Sequence, residues 1–451
     1  MSPLAFGTDG VRGLANAELT PELALALGRA VARVLRGGDL LVGRDTRRSS
    51  ALLSAAMCAG AASEGAEVCD VGVLPTPGVA ALCARRRAPG VVISASHNPF
   101  EDNGIKVLAP GGVKLDAETE AQIEAVLAKL LVDPDAEPRP TGRGVGMIRV
   151  DADASGSYVD AVLRAAGATS LSGLHVVVDC ANGAASGLAP RVLRGLGATV
   201  TSIGDDPDGC NINDGVGSTS PSALVDAVLA AGADLGVSLD GDADRCIAVD
   251  ERGCILDGDW LLALFATDRR AAGTLVGGVV VTVMTNLGFH HAMRAAGIPV
   301  EEVPVGDRNV VEALARTGWE LGGEQSGHLV FADRSTTGDG LLTALLLAQL
   351  VARRGPLHAQ CEGLLAPVPQ LLVNVAVADA TALGDAAEVW AAVERHQGAL
   401  GDRGRVLLRA SGTEPLIRIM VEAEDAADAH RIADALRELV VSTLGAPGAP
   451  G

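Results

Sequence analysis

The sequence predicts an α/β protein built from three related units and closed by a smaller α+β segment, and three observations predict it. At 451 residues the chain exceeds the length at which one hydrophobic core keeps growing, so several domains are expected. Hydrophobic residues make up 48% of the chain but aromatic ones only 2%, so its cores must be assembled from Ala, Val and Leu, which suits helices layered on parallel sheet. Most decisively, one strand–helix–strand grammar recurs three times at domain spacing, too long for a solenoid.

Taken in order, residues 4–14 form a glycine-punctuated stretch around Arg12, too rich in Gly for a helix or a regular strand. Thr20-Pro21-Glu22 opens a helix with Thr at the cap and Pro in the first turn, and its apolar spacing continues to about Leu35. The first copy of the repeat follows, with a strand over Leu40 to Asp45, a helix rich in Ala and Leu, and a second strand from Gly65 to Gly72. His175 to Asp179, a helix ending at Leu196 and the stretch Gly197 to Gly204 make the second copy. Val279 to Val283, a helix ending near Ala296 and Gly297 to Gly306 make the third.

Each copy continues through a helix into a further strand with a polar loop at its end, and strand ends of α/β sheets are where ligands bind. The loops are Ser94-Ala-Ser-His-Asn98, Asp240-Gly-Asp-Ala-Asp-Arg245 and Glu324-Gln-Ser-Gly-His328. Pro367 and Pro369 then mark a linker. An alternating strand spans Val373 to Val377, two strands flank a Gly-Thr loop between Arg405 and Arg418, and a helix runs from about Asp425 to Val441. The domains are accordingly 1–152, 153–252, 253–366 and 367–445, with a disordered Gly/Pro tail over 446–451.

Charge and composition exclude whole classes of partner. With 36 Lys and Arg against 56 Asp and Glu, the net charge of −20 repels a polyanion, so neither nucleic acid nor an anionic membrane surface is expected. The eight cysteines contain no C-x-x-C pair and, most of them in apolar company, read as small buried hydrophobes of a reducing compartment, neither a disulfide framework nor a zinc site. The N-terminus lacks a basic region ahead of an apolar run, and no eighteen apolar residues follow one another, so a soluble, cytoplasmic protein is expected.

The loops carry distinct chemistry. In an extended backbone Asp240, Asp242 and Asp244 would share one face, where three carboxylates repel unless a hard dication sits among them, and oxygen-only ligation points to Mg²⁺. An EF-hand loop is the rival, with Glu251 at its twelfth position, but Arg245 occupies the place of the required glycine and no helix precedes it. Mg²⁺ held by carboxylates commonly awaits phosphate oxygens. Arg409-Ala-Ser-Gly-Thr-Glu-Pro-Leu-Ile-Arg418 supplies phosphate binders in two arginines, two hydroxyls and a glycine that lets backbone N–H groups approach an anion. The loop beginning at Glu324 suits hydrogen bonding to a polyhydroxylated or amino-bearing ligand, and Lys106 stands on a strand just after the serine loop.

Five motifs together resemble the α-D-phosphohexomutase superfamily, and within it the bacterial branch that acts on glucosamine phosphate. They are Phe6-Gly-Thr-Asp-Gly-Val-Arg-Gly13, Ser94-Ala-Ser-His-Asn-Pro99, Asp240-Gly-Asp-Ala-Asp-Arg245, Gly323-Glu-Gln-Ser-Gly-His328 and Arg409-Ala-Ser-Gly-Thr-Glu-Pro415, in family order across nearly the whole chain. The resemblance implies three α/β domains with mixed sheets plus a C-terminal α+β domain around a central cleft.

By the same resemblance, Ser96 is the phosphoserine, and Asp240, Asp242 and Asp244 hold Mg²⁺ together with it. Arg12, Lys106, Arg245 and His328 surround the transferring group, with Lys106 or His328 moving the hydroxyl proton. His97, Gly306, Asp307, Glu324 and Ser326 contact substrate, and Arg409, Ser411, Gly412, Thr413 and Arg418 clamp its non-reacting phosphate.

The implied enzyme is an intramolecular phosphotransferase of the isomerase class. It interconverts glucosamine 6-phosphate and glucosamine 1-phosphate through a 1,6-bisphosphate on the way to UDP-N-acetylglucosamine, with glucosamine or glucose 1,6-bisphosphate as intermediate and activator. Closure of the fourth domain through the linker near Pro367 would keep water from the phosphoserine. The implied partner is a small hexosamine phosphate, with a homodimer as the candidate assembly. Two readings compete: a mutase for glucose or mannose phosphates, and a non-catalytic sugar-phosphate binder, against which the retention of Ser96 with all three aspartates argues. Val216, where cysteine is expected, and Asn309, where tyrosine is commoner, depart from the family pattern.

Overall fold

The computed structural model describes residues 10–36, 38–135, 138–167, 169–410 and 416–445. They divide into two compact units: the chain up to 284 with 298–362, and 285–297 with the chain from 363 onward.

The first unit contains three mixed sheets. The first is seven-stranded and runs Val11–Leu14, Asp102–Ala109, Gly90–Ile93, Asp39–Arg44, Glu67–Val73, Ile148–Val150, with Val113–Lys114 hydrogen-bonded to Asp102–Ala109. The second orders Ile255–Leu256, Cys246–Asp250, Leu235–Leu239, His175–Asp179, Thr199–Ile203, and the third Val300–Val303, Val279–Thr282, Leu321–Gly323, Leu329–Phe331. One arrangement underlies all three. A central strand pairs in parallel with two neighbours, and the second of these turns back into an antiparallel partner. The hairpins close at Ile93 with Ile105, Leu239 with Cys246 and Gly323 with Leu329, so each polar loop picked out in the sequence is the turn of the corresponding hairpin.

These strands form where β-branched runs can be buried on both faces: Val91, Val92, Val176, Val177, Val279 and Val280 are fully covered. With few aromatics the helices must approach closely to fill the space. Helix Pro21–Val34 is capped by Thr20, whose hydroxyl accepts from Leu23 N at 3.2 Å, and packs on helix Arg48–Ser63. At the crossing a Cβ on Gly28 would lie 2.3 Å from Met57 O, and one on Gly60 2.1 Å from Leu25 O, so glycine is required on both helices.

One expectation fails here. The glycine-punctuated segment around Arg12 contains a regular strand, Val11–Leu14, antiparallel to Asp102–Ala109 with Arg12 opposite Gly104. The partner strand makes room: a Cβ at Gly104 would meet Ser94 O at 2.6 Å and Arg12 Cγ at 3.1 Å, so the glycines serve close packing rather than breaking the ladder.

The second unit has an antiparallel sheet ordered Gln370–Ala376, Leu416–Ala423, Gly404–Ala410, against which helices Ala387–Leu400 and Ala426–Leu444 bury a core of Val, Leu and Ile. Helix Leu287–Ala295 belongs to it as well: Asn286 Nδ2 donates to Val368 O at 2.9 Å, and Arg405 donates to Thr285 O at 2.8 Å. The tail over 446–451 lies outside the described residues. No helix among the described residues is long and apolar enough to cross a membrane.

Candidate active site

In the first unit the hairpin turns bring their polar residues to one cavity of about 400 Å³, lined by Ser96, Arg12, Lys106, Asp244, Arg245, Gly306, Asp307, Glu324 and His328 among others. The site therefore draws on all three sheets.

Ser96 is buried and sits in the left-handed region at φ 53°, a conformation that a non-glycine residue holds only when its surroundings impose it. Its Oγ donates to Asp240 Oδ2 at 2.5 Å and lies 3.4 Å from His97 Nδ1. Ser94, the other hydroxyl of this turn, is engaged elsewhere: its Oγ donates to Asp45 Oδ2 at 2.6 Å and accepts from Ser96 N at 3.0 Å. Geometry thus separates the two serines, one fixed in the framework and one open to the cavity.

The three aspartates do not lie along an extended strand. Residues 241–243 form a turn in which Ala243 N donates to Asp240 O at 3.0 Å and Ala243 adopts φ 56°. The turn still gathers the carboxylates, with one ligand oxygen of each within 4.8 Å of the others, all buried. Burial, then the Asp244 and Asp242 charges, pushes the Asp240 carboxyl well above its usual range. Asp244 moves the opposite way: against burial, the Lys106 ammonium and His328 hold it well below. Lys106 Nζ stands 2.8 Å from Asp242 Oδ2 and 3.5 Å from Asp244 Oδ2. Asp242 Oδ1 is buried without a hydrogen-bond partner, as an oxygen awaiting a cation would be, while Asp244 Oδ1 has only the longer ion-pair contacts of His328 at 3.7 Å and Arg245 at 3.8 Å. An all-oxygen donor set of this kind fits Mg²⁺.

His328 is buried 3.7 Å from Asp244 Oδ1; burial opposes its protonation, but Asp244 overrides this and carries the imidazole to about 9. His97 is driven the other way, to about 4, by burial and by Arg245 and Arg12. Glu324 Oε1 accepts from Gly306 N at 3.1 Å, joining the two loops of the third sheet that face the cavity. Asp307 pairs with Lys114, and Arg308 donates to Glu120 Oε2 at 3.1 Å, so ion pairs link the first and third α/β layers across the cavity wall.

Several expected residues are not among those that line this cavity of the first unit. Ser326 is exposed and does not line the cavity, because its hairpin turn directs Glu324 and His328 inward and leaves the residue between them facing solvent. Arg409 and Arg418 are cross-strand neighbours in the second unit, where burial and Arg418 lower the Arg409 guanidinium. Ser411, Gly412 and Thr413 lie outside the described residues.

Four contributors escaped the sequence reading. Arg47 donates to the carbonyls of Ser96 and Asn98, both at 2.8 Å, and to that of Pro99. It pairs with Asp45 at 2.9 Å, both side chains fully buried. Asn213 Nδ2 donates to Ser96 O at 2.9 Å, and Thr76 Oγ1 donates to Asp242 Oδ2 at 2.6 Å. A signal existed for the first pair: Arg44-Asp-Thr-Arg-Arg-Ser-Ser50 is a polar run at the end of the central strand of the same sheet, the place where ligand-proximal residues belong.

Four profiles of the phosphoglucomutase/phosphomannomutase family match in chain order: alpha/beta/alpha domain I over residues 3–131, domain II over 156–253, domain III over 257–368 and the C-terminal domain over 372–439. Among curated relatives, the phosphoglucosamine mutase of Rhodococcus jostii is 52% identical over 445 residues, covering 97% of this chain and 99% of its own. That of Rubrobacter xylanophilus is 49% identical over 449 residues, covering 99% of this chain and 98% of its own. The chain belongs to the phosphoglucomutase/phosphomannomutase family, among its phosphoglucosamine mutases. As a member of that family it is an isomerase that acts by intramolecular phosphoryl transfer. A solved phosphoglucomutase/phosphomannomutase family protein from Burkholderia thailandensis superimposes over 100% of this chain and 99% of its own, with a TM-score of 0.81 and 26% identity.

Proposed function

We propose that this phosphohexomutase interconverts glucosamine 6-phosphate and glucosamine 1-phosphate, with Ser96 as the residue that carries the phosphoryl group. The observation that carries the proposal is the Ser96 Oγ to Asp240 contact of 2.5 Å at the wall of a cavity also lined by Arg12, Lys106, Arg245 and His328. A nucleophilic hydroxyl, an acidic cradle and a ring of cations is the equipment of phosphoryl transfer, which depends mainly on positioning and on neutralising charge.

In the first half-reaction the C1 hydroxyl oxygen of glucosamine 6-phosphate attacks phosphorus on phospho-Ser96, and a new O–P bond forms as the Ser96 Oγ–P bond breaks. Lys106 or His328 moves the protons: each is held as a cation beside the aspartates, so it first delivers its own proton to the departing Ser96 oxygen and then takes that of the attacking hydroxyl. The resulting 1,6-bisphosphate turns around, and its O6–P bond breaks as phosphorus bonds to Ser96 Oγ; the serine proton is taken up and O6 is protonated through the same residue, releasing glucosamine 1-phosphate. Asp240, Asp242, Asp244 and the Ser96 oxygens would hold Mg²⁺, which would offset the charge of the phosphoryl group in transit. Arg12 and Arg245 orient the phosphoryl group, while Glu324, with Gly306 and Asp307, meets the sugar. Arg409 and Arg418, with the loop between them, serve as clamp for the non-reacting phosphate.

Comparison of kcat/KM for glucosamine, glucose and mannose 6-phosphates tests the substrate, with the glucosamine compound expected to lead; if it does not, the substrate is a neutral hexose phosphate. Intact mass and peptide mapping test the carrier: phosphate is expected on Ser96, and an undiminished Ser96→Ala enzyme would refute its role.

A further inference from the structure

We infer that Asp250, Cys254 and His358 form a second divalent-cation site, separate from the aspartate triad and suited to a borderline, sulfur-tolerant ion such as Zn²⁺. One ligand atom from each lies within 4.8 Å of the others.

The fold brings them together by two routes. Asp250 ends strand Cys246–Asp250, and the chain reverses there: Gly253 N donates to Asp250 O and Asp250 N to Cys254 O, both at 3.0 Å, which returns Cys254 beside Asp250. His358 comes from helix Leu357–Cys361, far along the chain, and is anchored by its backbone N–H to Glu251 Oε2 at 3.1 Å. Its Nδ1 lies 2.9 Å from Asp250 Oδ2.

Asp250 is well prepared as a ligand. Its Oδ1 accepts from Arg252 N at 2.9 Å and Cys254 N at 2.8 Å, which fixes the carboxylate plane and leaves Oδ2 toward the imidazole. Asp250 is buried, His358 half-buried and Cys254 exposed, so the group has a closed back and an open front through which an ion can enter and water complete a four-ligand shell. Sulfur, nitrogen and oxygen donors favour Zn²⁺ over Mg²⁺, whereas the triad offers oxygen alone, so the two groups sort different ions. None of the three residues lines the active cavity: Asp250 stands at the far end of the strand that begins just after the triad turn.

On binding, the Cys254 S–H bond breaks, its proton leaves to solvent and a sulfur–metal bond forms. The hydrogen bond between His358 Nδ1 and Asp250 Oδ2 breaks as the ion enters: the neutral imidazole carries its proton on Nε2 and offers the Nδ1 lone pair, and Oδ2 becomes free to ligate. The ion would staple helix Leu357–Cys361 to the hairpin of the second sheet.

Co²⁺, a spectroscopic substitute for Zn²⁺, tests the site when titrated into the full chain with Mg²⁺ in excess to occupy the triad. A thiolate-to-cobalt charge-transfer band saturating at one equivalent is expected, displaced by Zn²⁺, absent in Cys254→Ser and weakened at least about tenfold in affinity in His358→Gln. Both positions reach solvent, and unchanged circular dichroism verifies the fold of each variant. Absence of the band in the unaltered protein, its survival in Cys254→Ser, or unaltered affinity in His358→Gln would each overturn the site and leave Asp250 and His358 as a hydrogen-bonded latch.

Discussion

Arg47 donates a hydrogen bond at 2.8 Å to the backbone carbonyl of Ser96, and the same guanidinium also reaches the carbonyls of Asn98 and Pro99. One buried cation thus holds three carbonyls of the turn that presents Ser96, the proposed phosphoryl carrier, and the left-handed backbone of Ser96 is imposed from behind the site. Asp45 locks this arrangement by binding Arg47 at 2.9 Å and, through its other contacts, Ser50 at 2.5 Å and Ser94 at 2.6 Å.

Arg47→Ala leaves Asp45 buried and uncompensated, a change that costs about 3–5 kcal/mol in buried ion pairs. Denaturant unfolding should register that loss. Arg47→Lys keeps the charge but cannot reach three carbonyls with a planar fork, so it should retain most of the stability while kcat and the extent of Ser96 phosphorylation fall. Equal turnover in Arg47→Lys and the unaltered enzyme would show that the guanidinium has no positioning role.

Thr76 acts on the acidic cradle in the same indirect way. Its backbone N–H donates to Asp242 O at 2.9 Å and its hydroxyl to Asp242 Oδ2 at 2.6 Å. Thr76→Val keeps the shape and removes the hydroxyl, and should weaken Mg²⁺ activation by roughly 10–100-fold, the usual range for a lost outer contact to a metal ligand. The Mg²⁺ dependence of kcat measures it, and an unchanged midpoint would count against the contact.

Asp339 supplies a pH-dependent component of stability. Burial raises its carboxyl to about 6, against the opposing hydrogen bonds from Leu342 N and Tyr158 Oη. Between about pH 4 and 6 the folded chain therefore keeps a proton that the unfolded chain has released, so this group's contribution to stability falls as pH rises through that window and then levels off. Asp339→Asn retains the Oδ1 that accepts from both donors. Relative to the unaltered protein, the variant should gain roughly 3 kcal/mol between pH 4 and pH 7 in urea unfolding. A difference independent of pH would refute the assignment.

In the second unit Glu422 is fully buried, raised by burial, and accepts from Arg405 at 3.0 Å and from Gln370 at 3.1 Å. Arg405→Met strands that carboxylate and cuts the bond to Thr285 O. It should destabilise this unit by about 3–5 kcal/mol, seen as faster hydrogen exchange across Gln370–Ala376 and helix Leu287–Ala295. Unaltered exchange there would show that the pair contributes nothing net.

By itself the sequence determined the α/β class, the threefold repeat and its polar loops. Runs such as Val176-Val-Val178 and the loop chemistry after them are local signals, written in neighbouring residues. It also carried the family, because five motifs in order are readable without knowing where each side chain points. The tertiary structure decided what depends on distant partners. It chose the strand for Val11–Leu14, since only the space at Gly104 on another strand makes that pairing fit. It folded Asp240 to Asp244 into a turn, and it sent Ser326 outward and His328 inward from one short loop. Above all it showed how Ser94 and Ser96, between which the family motif had already chosen, differ in their surroundings, because Asp45 and Arg47 act across nearly fifty residues of chain. Contacts of that range leave no periodicity or spacing in the sequence, only polar residues whose partners appear once the sheet has brought them together.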